Sequence, residues 1–99
     1  MNFRLVVNPR AEQDAEEAAL WYEKQHKGLG IEFIQAIDEG ILSIQNNPHK
    51  FTVLRKDFRR VVLRRFPFGI FYKIDNDVIV VVAVWHFKRK PFSFLRREK

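Results

Sequence analysis

The sequence predicts one α+β domain spanning residues 1–99. The expected order is β-α-α-β-β-β: an N-terminal strand, an antiparallel helical hairpin, and a mostly antiparallel four-stranded sheet that the hairpin covers on one face. Three observations predict it. Residues 58–89 hold three runs rich in Val, Ile, Phe and Tyr, broken at Phe66-Pro67 and at Asp75-Asn76-Asp77. Residues 9–46 instead carry apolar side chains every three to four positions, interrupted once at Lys27-Gly28-Leu29-Gly30. A chain of 99 residues has material for one core and no second.

Each element has its own justification. Phe3 to Val7 is a short apolar run suited to a first strand. Asn8 is placed to cap a helix, Pro9 to occupy its first position, and Glu12 and Asp14 to face its positive end. That helix runs to about Gln25, with Ala11, Ala15, Ala18, Ala19 and Tyr22 on its packing side and Glu12, Glu16, Glu17 and Glu23 on an expected solvated face. Trp21-Tyr22 is expected to close the hairpin. Phe33, Ile34, Ile37, Ile41 and Ile44 define the second helix, which ends at Asn46-Asn47-Pro48 because a residue before proline leaves the α region. Two helices joined so briefly form an antiparallel pair. Gly40, inside the second helix, costs about 1 kcal/mol relative to alanine and marks a possible close approach.

Residues 51–57 read as a connector, followed by three strands. In Phe58–Phe66, Val61 and Leu63 point one way and Arg60, Val62 and Arg64 the other. In Phe68–Ile74, Phe68, Ile70, Tyr72 and Ile74 share a face opposite Phe71 and Lys73. Asp75-Asn76-Asp77 makes a tight hairpin connection. Val78–His86 is apolar on both faces, with Ile79, Val81, Ala83 and Trp85 against Val78, Val80, Val82 and Val84. A helical layer covers only one face of a sheet. The other face therefore expects either the tail from Pro91 to Leu95 or a partner protein.

Composition narrows the function classes. There is no cysteine, hence no disulfide, thiolate nucleophile or thiolate metal site. His26, His49 and His86 are far apart in sequence and lack companions at ligand spacing, so neither metal nor cofactor is expected. The apolar run at the N-terminus is too short for a signal peptide, and Val78 to Val84 falls far short of the roughly 20 residues of a membrane span. A cytoplasmic protein without membrane contact is the expectation. The net charge of +6 is unevenly distributed: −3 over residues 1–54 and +9 over residues 55–99. Such a basic half attracts an anionic partner, and charge alone selects neither nucleic acid nor an acidic protein segment.

An ordered set of motifs extends this reading. Pro9-x-Ala11 precedes an acidic helix ending in Trp21-Tyr22, and Gly28-x-Gly30 precedes a helix closing at Asn47-Pro48. Arg59-Arg60, Leu63, Phe66-Pro67-Phe68 and Ile70-x-Tyr72 follow, then Val82-Ala83-Val84-x-His86 and Lys88-Arg89-Lys90-Pro91. Over nearly its full length the chain resembles the RelE/ParE superfamily of type II toxin–antitoxin toxins, also called plasmid stabilisation proteins. The resemblance implies a growth-inhibiting toxin, a cognate small antitoxin that wraps around it, and DNA contact made by the antitoxin.

The superfamily divides on mechanism. ParE-like members inhibit DNA gyrase, whereas RelE-like members cut mRNA on the ribosome by 2′-hydroxyl attack, which needs a proton acceptor, cations and a proton donor. On the RelE-like reading, Arg64, His86 and Arg89 would be catalytic. Phe92 and Phe94, however, stand where such nucleases keep a tyrosine or histidine, and the Lys88–Pro91 segment favours the ParE-like reading. The residues expected to bind the target or nucleic acid are Arg59, Arg60, Arg64, Arg65, Lys88 and Arg89. Those expected to bind antitoxin, on the open sheet face, are Val62, Phe71, Val80 and Val82. A degenerate, non-toxic basic binding module is the third possibility.

Overall fold

A computed structural model describes residues 3–97. The element order is β1 (Arg4–Val7), α1 (Pro9–Gln25), α2 (Leu29–Asn46), β2 (Val53–Arg55), β3 (Phe58–Val62), β4 (Phe68–Asp75), β5 (Val78–His86) and a 3-10 helix (Ser93–Arg97). The sheet has five strands in the order β1-β5-β4-β3-β2. The expected connector supplies the extra strand, since Val53 and Arg55 pair with Arg59 and Phe58 at the edge. The sheet is mixed. β1 runs parallel to β5, from Arg4 opposite Val78 to Val7 opposite Val81, and the other pairs are antiparallel.

Local chemistry sets the helix ends. Asn8 Oδ1 accepts from the Arg10 N–H at 2.8 Å, and Pro9 sits at the first helical position. Gly28, in the left-handed region at φ 89°, has no side chain with which to cap α2. Glu23 caps it instead. Its carboxylate accepts from the Gly28 N–H at 3.0 Å and the Gly30 N–H at 3.0 Å, and these donors hold its carboxyl below the usual range. Glu23 is exposed, as expected of the acidic face, and the cap is an added role.

The main core lies between the hairpin and the sheet. Phe33, Ile37 and Ile44 from α2 and Ala11 from α1 pack on Val61, Leu63, Ile70, Tyr72, Ile79 and Val81. Gly40 is a point of close approach: a Cβ there would lie 2.8 Å from Ile70 Cδ1. Tyr72 is fully buried, and its hydroxyl donates to the Pro48 carbonyl at 2.7 Å. Burial pushes its pKa up to about 12, against the opposing pull of the Arg59 charge.

Two departures from the sequence reading matter for function. β3 ends at Val62 rather than Phe66, because the chain turns through Arg65 (φ 72°) and Leu63 N–H pairs back to the Phe68 carbonyl at 3.0 Å. In β5 the strict alternation fails. Tyr72 pairs with Val81 and Phe71 with Ala83, so Val82 is an extra, bulged residue. Beyond the bulge the faces exchange: Val84 joins the helix-side core, and Ala83 and Trp85 turn to the opposite face.

That opposite face is covered by the chain's own tail. Phe94 packs on Phe71 and Trp85 with ring centroids 5.0 and 5.3 Å apart, and Trp85 Nε1 donates to the Lys90 carbonyl at 3.2 Å. Phe71 is therefore buried, contrary to its expected place on an open surface, and Val80 and Val82 are half-buried. Val62 remains exposed. Among the described residues, no helix is long and apolar enough to cross a membrane.

Candidate functional site

Three side chains converge where β3, the end of β5 and the following turn meet. Arg60 projects from β3 across Gly69, where an added Cβ would lie 2.7 Å from Arg60 Cδ. The missing side chain lets the arginine stem lie flat on the sheet. Its guanidinium sits 5.4 Å from the Phe87 ring centroid and 5.9 Å from that of Phe71. Arg89 stacks on Trp85 with its guanidinium 3.5 Å from the ring. Arg60, His86 and Arg89 line one shallow pocket of about 280 Å³. Among the described residues neither Arg60 nor Arg89 has a carboxylate partner. Two guanidinium groups held by aromatic faces and without a carboxylate partner leave uncompensated positive charge on this surface.

His86 stands at the rim of this pocket. Its Nδ1 accepts from the Lys88 N–H at 2.9 Å, which places the proton of the neutral ring on Nε2. The ring meets Phe68 edge-to-face at 4.9 Å. The turn from His86 to Arg89, closed by Arg89 N–H to the His86 carbonyl at 3.1 Å, carries Lys88 outward and folds Arg89 back over Trp85.

The remaining basic residues lie elsewhere. Arg64 lines a separate surface depression with Glu32, Gln35 and Glu39 of α2, so the structure does not assemble Arg64 with His86 and Arg89. The early end of β3 is the reason, since Arg64 lies in the turn rather than on the strand. Arg65 pairs with Glu32 at 2.6 Å in an exposed bridge. Arg59 donates to the carbonyls of Phe51 and His49, tying the segment between α2 and β2 to β3. Arg59 is therefore engaged in holding the fold together.

A second concavity lies on the other side of β5. It is a groove of about 520 Å³ between α1 and the end of the strand, with Trp21, Tyr22, Phe68, Val84 and His86 among its walls and Arg89 at its rim. Burial raises the Tyr22 pKa above its ordinary value. At the foot of α1, Asp14 makes two parallel bonds with Arg97 of the tail, at 2.7 and 2.9 Å. Asp14 also accepts from the Val84 N–H at 3.1 Å, and Arg97 donates to the Val82 carbonyl at 3.1 Å. Sequence reasoning missed both residues. Asp14 carried a signal, for it stands on the alanine stripe between Ala11 and Ala18, where a charge needs a partner. Arg97 carried none.

The architecture is that of the toxins in type II toxin–antitoxin systems. A chain of the chromosomal ParDE toxin–antitoxin system from P. aeruginosa superposes with a TM-score of 0.75 at 17% identity, covering 85% of this chain and 95% of that one. A chain of the toxin–antitoxin complex RelBE2 from Mycobacterium tuberculosis gives 0.59 at 16% identity, covering 87% and 99%. A mutant of the E. coli toxin RelE in the free state gives 0.57 at 16% identity, covering 87% and 84%. No curated protein matches in sequence. Residues 5–91 match the family described as the ParE toxin of type II toxin–antitoxin systems, parDE, and the chain belongs to that family.

Proposed function

We propose that this toxin arrests growth by binding DNA gyrase in the cytoplasm, and that a small cognate antitoxin neutralises it and makes the DNA contacts of the complex. The observation that carries the gyrase reading is the separation of Arg64 from His86 and Arg89. Phosphodiester cleavage needs its cations and proton-transfer groups within reach of one phosphate. Among the described residues the tail places Phe92 and Phe94 over the sheet there, neither able to transfer a proton, and the buried Tyr72 is committed to Pro48. Family membership supports the same branch. The target-binding surface is proposed to be the unpaired cations Arg60 and Arg89 with exposed Lys88 beside them.

The test is expression in a bacterial host with plasmid topology and RNA ends read from one culture. Relaxed plasmid with intact messages is expected, and loss of the topology change in Arg60→Glu is expected with it. Unchanged supercoiling at saturating purified toxin refutes the gyrase reading.

One observation favours a second reading. Arg60, His86 and Arg89 share a pocket, so a ribonuclease would use Arg60 in the place expected for Arg64. New 5′ ends inside codons of translated messages, lost in Arg60→Ala and His86→Ala, would establish it.

A further inference from the structure

Several open places of the fold are closed from within. β1 leaves the sheet at Val7, and Asp14 and Arg97 close the edge of β5 beyond it, pairing with the Val84 N–H and the Val82 carbonyl. The tail covers Phe71 and Trp85. The outer face of the helical hairpin has no such cover. Leu20 is 64% exposed there, Ile31 65% and Leu42 58%, with Ile34 beside them.

A surface helix ordinarily has one apolar stripe. α2 has two. Phe33, Ile37, Gly40 and Ile44 are buried, whereas Ile31, Gln35, Asp38 and Leu42, also spaced by three or four residues, form the exposed face. Gly30 sets the level of the two helices, since it meets Ala19 and Glu23 of α1. Leu20 and Ile31, the next residues along, are turned outward at that level, and Ile34 follows Gly30 by one turn on the side towards α1. An apolar cluster therefore marks the loop end of the hairpin. Leu42 stands apart from it, about 17 Å along α2 from Ile31.

The charges divide in the same way. Lys24 and Lys27 lie at the loop end, and Asp38 precedes Leu42 by one turn. All three are exposed, and none has an ion-pair partner among the described residues. A second copy laid on this face in an antiparallel, two-fold arrangement matches both patterns. With Ile31 opposite Leu42 of the partner subunit, Gln35 falls opposite the partner's Asp38, and each contact occurs twice. Lys24 and Lys27 then approach the acidic half of the partner's helix. A parallel arrangement sets Asp38 against its own counterpart instead. Two helices of 17 and 18 residues, about 27 Å long and about 8–10 Å apart, offer about 500 Å² per copy. The total of about 1,000 Å² lies at the lower bound for a specific interface, which puts the association in the micromolar range.

We propose that two copies of this chain associate back to back through the outer faces of their helical hairpins, with Ile31 of each copy packed on Leu42 of the other. The inference does not depend on the toxin's target. The sheets lie on the outer sides of such a dimer, so both pockets that hold Arg60 and Arg89 stay open and the particle is bivalent.

The experiment is sedimentation equilibrium of the purified full chain, alone, from about 1 to about 300 μM. A mass rising from 11.9 kDa towards twice that value is expected. Ile31→Lys and Leu42→Glu alter exposed residues, so melting in dilute solution should match the parent protein, while each weakens association by about 10-fold or more. Mixed in equal amounts, the two variants should associate again. One contact in the mixed dimer becomes an ion pair, and the other is the unaltered pair of Ile31 and Leu42. Val62→Glu, on the sheet, should leave the dimer intact.

A monomer throughout the range would overturn the proposal. A dimer that survives both hairpin substitutions, or one lost in Val62→Glu, would do the same, because the copies would then meet on another surface. Weakening in each variant without recovery in the mixture would refute the packing of Ile31 on Leu42. The toxin reading is tested separately, by growth arrest and plasmid topology.

Discussion

Replacing Asp14 by alanine strands Arg97. The pair is bidentate, and its side chains keep only 10% and 16% of their surface in contact with solvent. Removing one member of a buried pair leaves an uncompensated charge and costs about 3–5 kcal/mol. Arg97 retains some water contact and the Val82 carbonyl, which puts the expected loss near the lower end, about 3 kcal/mol. At about 4–8 °C per kcal/mol for a domain of this size, the melting temperature falls by roughly 12–24 °C. The pair also pins the tail that buries Phe71 and Trp85, so loosening should be felt there first.

The assay is a double-mutant cycle of Asp14→Ala, Arg97→Met and their combination, followed by urea unfolding. Trp85 fluorescence in a Trp21→Phe background reports the tail locally, since Arg97 lies 5.1 Å from the Trp85 ring. If the reasoning holds, the double variant loses little more than the worse single one, giving a coupling of about 1.5 kcal/mol or more. Singles that each cost under about 0.5 kcal/mol and add simply would show a bridge no stronger than an exposed one, and the account of the closed edge would fail.

Other predictions concern the helical hairpin and the buried tyrosine. The lowered pKa of Glu23 contributes stability that is present above its unfolded-state value and is lost as pH falls through the folded-state value. Glu23→Gln should flatten this acid limb of the stability profile, and an unchanged limb would refute the capping role. Gly30→Ala should destabilise by about 1–3 kcal/mol in thermal melts despite the better helix propensity, because its Cβ would lie 2.7 Å from the Ala19 carbonyl oxygen. Tyr72 has a folded-state pKa of about 12 against an ordinary value of 10.0, so the unfolded chain ionises first and stability falls as pH rises between these values. Tyr72→Phe should remove that alkaline loss, at a cost at neutral pH of about 1 kcal/mol from the lost bond to Pro48.

The sequence by itself determined what depends on local chemistry and periodicity. Asn8-Pro9 starts α1, Asn47-Pro48 ends α2, and the turn at Asn76 (φ 59°) closes the hairpin between β4 and β5 where the sequence places it. The spacing of Phe33, Ile37 and Ile44 defined the buried stripe of α2, and the ordered motifs led to the correct family. These signals are contained in short windows of chain, and so they survive reading in one dimension.

Only the tertiary structure decided matters that depend on pairing across distance. The short edge strand β2 lacks an apolar alternation, and its identity comes from its partner β3. The bulge at Val82 arises from the register between β4 and β5, and it reverses the faces of every residue after it. It therefore governs what Trp85 and Arg89 can touch. Arg64 is separated from His86 because β3 ends at Val62, and Arg60 takes the position beside Arg89 because Gly69 on the neighbouring strand leaves room. Asp14 and Arg97 meet across 83 positions of sequence to close an edge that exists only once β1 has turned away.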